Sequence, residues 1–268
     1  MLPLLTALIP YKSLSHGRTR PTLVSAEDGD GRRHEVVVKN FLPEERGRRA
    51  AIAELVCALL GNCLGLKGPQ PFLVNLPEGF HELLADDVAR ERLRTAQGLQ
   101  FASAYLPGAT TVAADRMIPE SKYLEASAIF AFDCLVQNPD RRSDKPNLLE
   151  YGGGYWIIDH DMALAFVGEA IIGGAIPPWE PRALGAKAYD FLGKHLFTRG
   201  LRGKEDVLDT FGQHLANLHP GSLEGILREV PPEWWPDQNS HDSLLEYLNL
   251  AVSSADKLIA FAKTFLKP

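Results

Sequence analysis

Asn138-Pro-Asp-Arg-Arg-Ser-Asp-Lys-Pro-Asn147 and, shortly after it, Ile158-Asp159-His160-Asp161 decide how this chain is read. Between them stand Leu148-Leu149, the glycine run Gly152-Gly-Gly154, and Tyr155-Trp-Ile-Ile158. Two short apolar runs around a glycine turn predict a hairpin. A hairpin of this length brings an acidic loop at each of its ends to one pocket edge. Taken singly, Asp140 reads as a turn aspartate and Asp159 as a capping or surface acid. Taken jointly, they suit phosphoryl transfer. That reaction needs one carboxylate to orient the nucleophile and oxygen ligands for Mg²⁺.

Working outward, a helix is expected from about Ser121 to Gln137, with Ser121 as N-cap and Leu124, Ala128, Phe132 and Leu135 on its buried face. Upstream, Thr22-Leu-Val24 and Glu35-Val-Val-Val38 are β-rich, and Asp28-Gly-Asp-Gly31 between them is a hairpin turn. Alternation places Val37 and Lys39 on one strand face, where a lysine can hold nucleotide phosphates. An apolar stretch with helical spacing follows, roughly Glu44 to Leu60. It carries Glu54, the best-placed partner to keep Lys39 charged and aimed. The bland alternatives are a solvated strand-end lysine and a surface glutamate. Met1 to Pro10 reads as a first strand, Pro69 to Val74 and Phe101 to Leu106 as extended runs, and Pro107-Gly108 as a break. After Pro177-Pro178 three or four helices are expected, the last from about Ser240 to Phe265. The result is an α+β chain: a strand-rich part with one helix, then a helical part holding one small hairpin.

This order of loop, strand lysine, helix glutamate, strand hinge, Asp-Arg loop and hairpin-borne Asp resembles protein kinases. In detail it resembles the HipA-like kinases. Phe132-Asp-Cys-Leu-Val-Gln-Asn-Pro-Asp-Arg141 is similar to their helix and catalytic loop, Gly17 through Pro21 to their phosphate loop, and Ala53-Glu54-Leu55 through Gly65-Leu66 and Pro69 to their glutamate helix and exit turn. The resemblance spans about residues 10 to 166 and implies a bilobal protein-kinase-like fold, with an N-lobe over 1–107 and a helical C-lobe over 108–268. It implies that Lys39, Gly17 and Arg18 bind nucleotide, that Glu54 supports Lys39, and that Ser103, Ala104, Tyr105 and Leu106 form the hinge that reads adenine. Asp140 would be the catalytic base, Asp159 the main Mg²⁺ ligand and Asn147 a second. ATP and Mg²⁺ follow as cofactors, a protein Ser or Thr as acceptor, and autophosphorylation near Ser13 and Ser15 as a form of control. The pattern also departs from ordinary protein kinases. Their His-Arg-Asp is Asn138-Pro139-Asp140 here, their Asp-Phe-Gly is Asp159-His160-Asp161, and Asn147 follows Asp140 by seven residues.

The bulk properties set outer bounds. A chain of 268 residues can bury a substantial core. A net charge of -6 argues against a broad nucleic-acid-binding face. The apolar opening, Met1 to Pro10, is far below the ~20 residues that a membrane-spanning helix needs. Cys57, Cys63 and Cys134 form no metal-like pair, which suggests buried reduced thiols and a cytoplasmic setting. Kinases of small molecules or lipid head groups, and a nucleotide-binding pseudokinase or interaction module, stay open beside the protein-kinase reading.

Overall fold

The computed structural model describes residues 2–14, 21–41, 46–95, 98–113, 117–165, 177–180 and 190–268. The N-terminal part is a closed barrel of five strands: β1 (Leu4–Ser13), β2 (Thr22–Glu27), β3 (Arg33–Lys39), β4 (Pro71–Leu76) and β5 (Gly98–Ala104). Neighbours run β1-β2-β3-β5-β4, and a parallel β1–β4 pairing closes the ring. Alternation does the sorting. Val36 and Val38 of β3 enter the barrel core with Leu5, Val24, Phe72 and Val74, while Val37 and Lys39 face the other way.

Helix α1 (Arg48–Cys63) leaves the barrel and joins a different core. Its residues from Ala50 to Cys57 are all buried, in one cluster with α3 (Tyr123–Leu135) and the C-terminal helices. The helix starts later than expected because Arg46 and Gly47 hold φ of 72° and 51°, which no right-handed helix accepts. The expected segment at 44 and 45 lies outside the described residues.

A second helix, α2 (Asp87–Thr95), belongs to the strand-rich part and was not expected there. Only Ala89 and Leu93 of α2 are buried, so its apolar stripe is one residue wide and its sequence looks like a charged loop. Beyond β5, β6 (Thr110–Thr111) pairs with β7 (Leu148–Tyr151), and β7 with β8 (Gly154–Ile157). The expected hairpin is therefore present with an added edge strand. Gly152 and Gly153, at φ of 55° and 72°, form its turn in a conformation few other residues accept.

Three expectations about packing are corrected. Ser121 caps nothing; it lies in a short 3₁₀ turn, Glu120–Lys122, and α3 begins after it without a side-chain cap. Leu124 is 59% exposed, because burial of α3 starts only at Ala126. Cys63 is exposed on the last turn of α1, whereas Cys57 and Cys134 are buried.

The C-terminal part continues with α4 (Asp190–Gly193), α5 (Thr198–Leu201), α6 (Asp209–Ala216), α7 (Pro220–Arg228), α8 (Gln238–Ser253) and α9 (Ala255–Lys263). The single last helix expected over 240–265 is two, broken at Ser254, whose φ of -122° and ψ of 33° interrupt the ladder. No helix among the described residues is long and apolar enough to cross a membrane.

Candidate active site

Lys39 ends β3 on the face away from the barrel core, paired in register with Phe101 of β5. Its ammonium donates to Glu54 Oε1 and, at 2.9 Å, to Asp159 Oδ1. Thus the strand lysine, the helix glutamate and the aspartate after the hairpin meet at one nitrogen. Burial opposes the lysine's charge, but Asp159 and then Glu54 outweigh it and raise its pKa. The two acids fare differently. Burial also opposes the Asp159 charge, yet Lys39 and then Lys145 hold it well below the usual range. Glu54, 2% exposed, is pushed up to about 7 by burial despite Lys39. Glu54 also accepts the backbone N–H of His160 at 3.0 Å, so α1 grips the turn that bears Asp159.

Asp140 sits on the loop after α3. Asn138 Oδ1 accepts its backbone N–H at 3.1 Å, and Asn138 Nδ2 donates to buried Asp133 at 3.0 Å. Beneath the loop lies a sealed brace. The Arg141 guanidinium donates to both oxygens of Asp133 and to the carbonyl of Asn147, and it contacts His160 Nε2 at 3.0 Å. His195 meets Asp133 Oδ2 at 2.9 Å. One carboxylate on α3 thereby fixes the Asp140 loop, the start of the hairpin and the segment after α4. The hairpin's other anchor is Ile157, whose N–H donates to Lys67 O at 2.9 Å in the turn after α1.

Asp140, Asp159 and Asp161 offer carboxylate oxygens within 4.8 Å of one another. The donors are all hard oxygens, the set that suits Mg²⁺. Their crowding is visible in Asp161, whose pKa is raised by burial and then by the Asp159 charge, a repulsion that a divalent cation relieves. Asp161 is the third carboxylate of this group, and Asn147, the second ligand expected from the resemblance, lies against it. Asn147, at φ 46°, turns its amide toward Asp140, donating to the carbonyl at 3.2 Å and to Oδ2 at 3.3 Å.

Lys145 was missed by sequence reasoning. Its ammonium donates to Asp140 Oδ2 and lies 3.5 Å from Asp159 Oδ2. Its only sequence signal is a place inside the acidic loop. Of the expected hinge, Ser103 and Ala104 remain in β5. The N–H groups of Ala104 and Tyr105 donate to Gln70 O at 2.8 Å and Glu35 O at 2.9 Å, and β5 ends at Ala104. Ser103 pairs with Val37 and so shares the Lys39 face. Gly17 and Arg18 lie outside the described residues.

The HipA-like kinase family model matches residues 10–169, more than half the chain. The chain belongs to the HipA-like kinase family. Membership makes it a kinase-type phosphotransferase. No curated protein matches it in sequence. Among solved structures it is similar to CtkA, a proinflammatory kinase of Helicobacter pylori, at 15% identity and a TM-score of 0.53, covering 90% of this chain and 93% of that one. That likeness shows the shared fold alone. The complete CtTel1 dimer and the FAT and kinase domain of CtTel1 each give a TM-score of 0.31 over 96% of this chain, at 14% and 15% identity and covering 12% and 22% of theirs. Scores this low carry no weight here.

Proposed function

We propose that this HipA-like kinase transfers the γ-phosphoryl group of ATP, with Mg²⁺, to a Ser or Thr hydroxyl of a protein. The observation that carries this reading is the meeting of Lys39, Glu54 and Asp159 beside Asp140. On it, residues 1–107 and 108–268 act as two lobes with the nucleotide between them, adenine against the Ser103 to Leu106 edge. Lys39 binds the phosphates, and Glu54 keeps it aimed. Asp159 and Asp161 hold the divalent ion, which screens the phosphate charge. Asn147 reaches Asp140 from the catalytic loop, and Gly17 and Arg18 contribute to nucleotide binding. Asp140 orients the acceptor hydroxyl and takes its proton as the new P–O bond forms and ADP leaves. Lys145, already on Asp140 and close to Asp159, is within reach of the phosphoryl group in transit.

The test is label transfer from γ-labelled ATP with Mg²⁺, first to the protein itself and then to candidate acceptors. The Asp140→Asn variant is expected to keep ATP affinity and to lose turnover by roughly 10²-fold or more, the scale of positioned acid–base catalysis. Equal losses of affinity and rate would assign Asp140 to metal binding instead.

A further inference from the structure

The catalytic loop of protein kinases carries a metal-binding asparagine five residues after its aspartate. Five residues after Asp140 this chain has Lys145, and Asn147 comes two residues later. Both side chains turn to the same acid. Asn147 presents its amide N–H₂ to Asp140, 3.2 Å from the carbonyl and 3.3 Å from Oδ2. That group donates hydrogen bonds and does not ligate a cation. Lys145 donates to the same Oδ2 and lies 3.5 Å from Asp159 Oδ2. A positive charge is thus built into the chain between the two aspartates.

The backbone around Lys145 is fixed on both sides. Arg142 N–H donates to Lys145 O at 3.0 Å, and Lys145 N–H donates back to Arg142 O at 3.1 Å, which closes the turn that carries the lysine. Before the turn, Leu196 N–H holds the Arg141 carbonyl at 3.0 Å. After it, the buried Arg141 guanidinium holds the carbonyl of Asn147. The lysine stem therefore starts from a set point beside Asp140, and the side chain is only 35% exposed. A divalent ion on Asp140 Oδ2 would have to displace this ammonium. Asp159 and Asp161 are enough for one ion, since Mg²⁺ is commonly held by one or two carboxylates together with phosphate oxygens and water.

We propose that Lys145 takes the place of a second divalent ion, so that this chain binds one ion per nucleotide, on Asp159 and Asp161. The proposal rests on the phosphoryl-transfer reading of the same site and states which of its positive charges belongs to the protein. A tethered ammonium stays on Asp140 when the nucleotide and its ion leave. It also competes with any ion that approaches Asp140 and Asp159 together.

The experiment first titrates Mn²⁺ into the full chain without nucleotide, reading free Mn²⁺ by electron paramagnetic resonance. Lys145→Asn removes the competing charge and should tighten Mn²⁺ binding by about tenfold or more. Lys145→Arg keeps the charge and should stay within about threefold of wild type. Equal affinity in wild type and Lys145→Asn overturns the proposal, and so does equal tightening in both variants. Unchanged unfolding midpoints confirm that the variants are folded. Asp159→Ala separates the two claims. If it binds Mn²⁺ as wild type does, the metal site itself is wrong, and the role of Lys145 falls with it. If it loses Mn²⁺ while Lys145→Asn matches wild type, the role of Lys145 alone is wrong. Bound Mn²⁺ is then counted with saturating β,γ-imido-ATP. Wild type should hold one ion per chain and Lys145→Asn two. Two ions in wild type, or one in both, overturns the replacement. A chain that binds no imido-ATP contradicts the kinase reading, and the nucleotide-free titration still decides whether Lys145 competes with the ion.

Discussion

Asp133 and Asp159 each face a buried cation, but their surroundings differ in one respect. Around Asp133 every charge is answered. Arg141 and Asn138 donate to one oxygen, Arg141 and His195 meet the other, and the side chain is fully enclosed. Burial alone would raise its pKa, yet Arg141 and then His195 hold it far below the usual range. Around Asp159 the acids outnumber the cations. Four acids, Glu54, Asp140, Asp159 and Asp161, face three cations, Lys39, Lys145 and Arg142, the last 3.7 Å from Asp140, and both Glu54 and Asp161 are pushed upward. A closed cluster of this kind braces a fold. A cluster left short of positive charge is one that a divalent cation completes.

The largest expected effect is in the closed cluster. Arg141→Met keeps much of the side chain's volume but strands Asp133 in an apolar interior. Removing one partner of a buried pair costs about 3–5 kcal/mol, so urea unfolding should show a loss of that size. A loss below about 1 kcal/mol would mean that the brace is dispensable.

A smaller effect is set by pH. Burial lowers the His195 pKa, only partly opposed by Asp133. The sign follows from which state binds the proton first. As pH falls below about 6.5, the unfolded histidine protonates while the folded one stays neutral, so stability falls with pH by up to about 1.4 kcal/mol per unit. Asp133 acts in the same direction at lower pH, because its depressed pKa makes a contribution that is lost on acidification. Urea unfolding of His195→Gln between pH 6.5 and 5.5 should show a slope flatter by roughly half a proton at the upper end, approaching one at the lower. An unchanged slope would contradict the placement of His195 as a neutral buried ring.

The smallest effect should have the opposite sign. Asp161→Asn removes one of the crowded charges and should raise thermal stability slightly, by up to about 1 kcal/mol, while weakening divalent-cation binding. If it destabilises as Arg141→Met does, the two clusters do not differ in the way described.

What the sequence shows plainly is what repeats or alternates. Val36, Val38 and Lys39 sort by period two, and Glu54 sits on a strongly apolar helical stretch. Asp140 and Asp159 flank an obvious hairpin. Lys145 was not singled out as a site residue, and Asp161 only as the neighbour of Asp159, because loop residues follow no period; their placement comes from a fold that brings the two ends of a hairpin together. The barrel closure is equally hidden, since Leu4 to Thr6 pair in parallel with Leu73 to Asn75 across a long sequence separation. The first turn of α3 and the break at Ser254 were misread because periodicity reports which residues are apolar, not where the neighbours stop.

The most direct measurement is calorimetric binding of ATP, with and without Mg²⁺, to wild type and to Asp159→Ala. Wild type should bind ATP substantially more tightly with Mg²⁺ than without. Asp159→Ala should lose that Mg²⁺ dependence, because the carboxylate that joins the ion to the Lys39 site is gone. Binding of Mg-ATP by Asp159→Ala as tight as that of wild type would contradict the assignment of the open carboxylate cluster as the metal-nucleotide site.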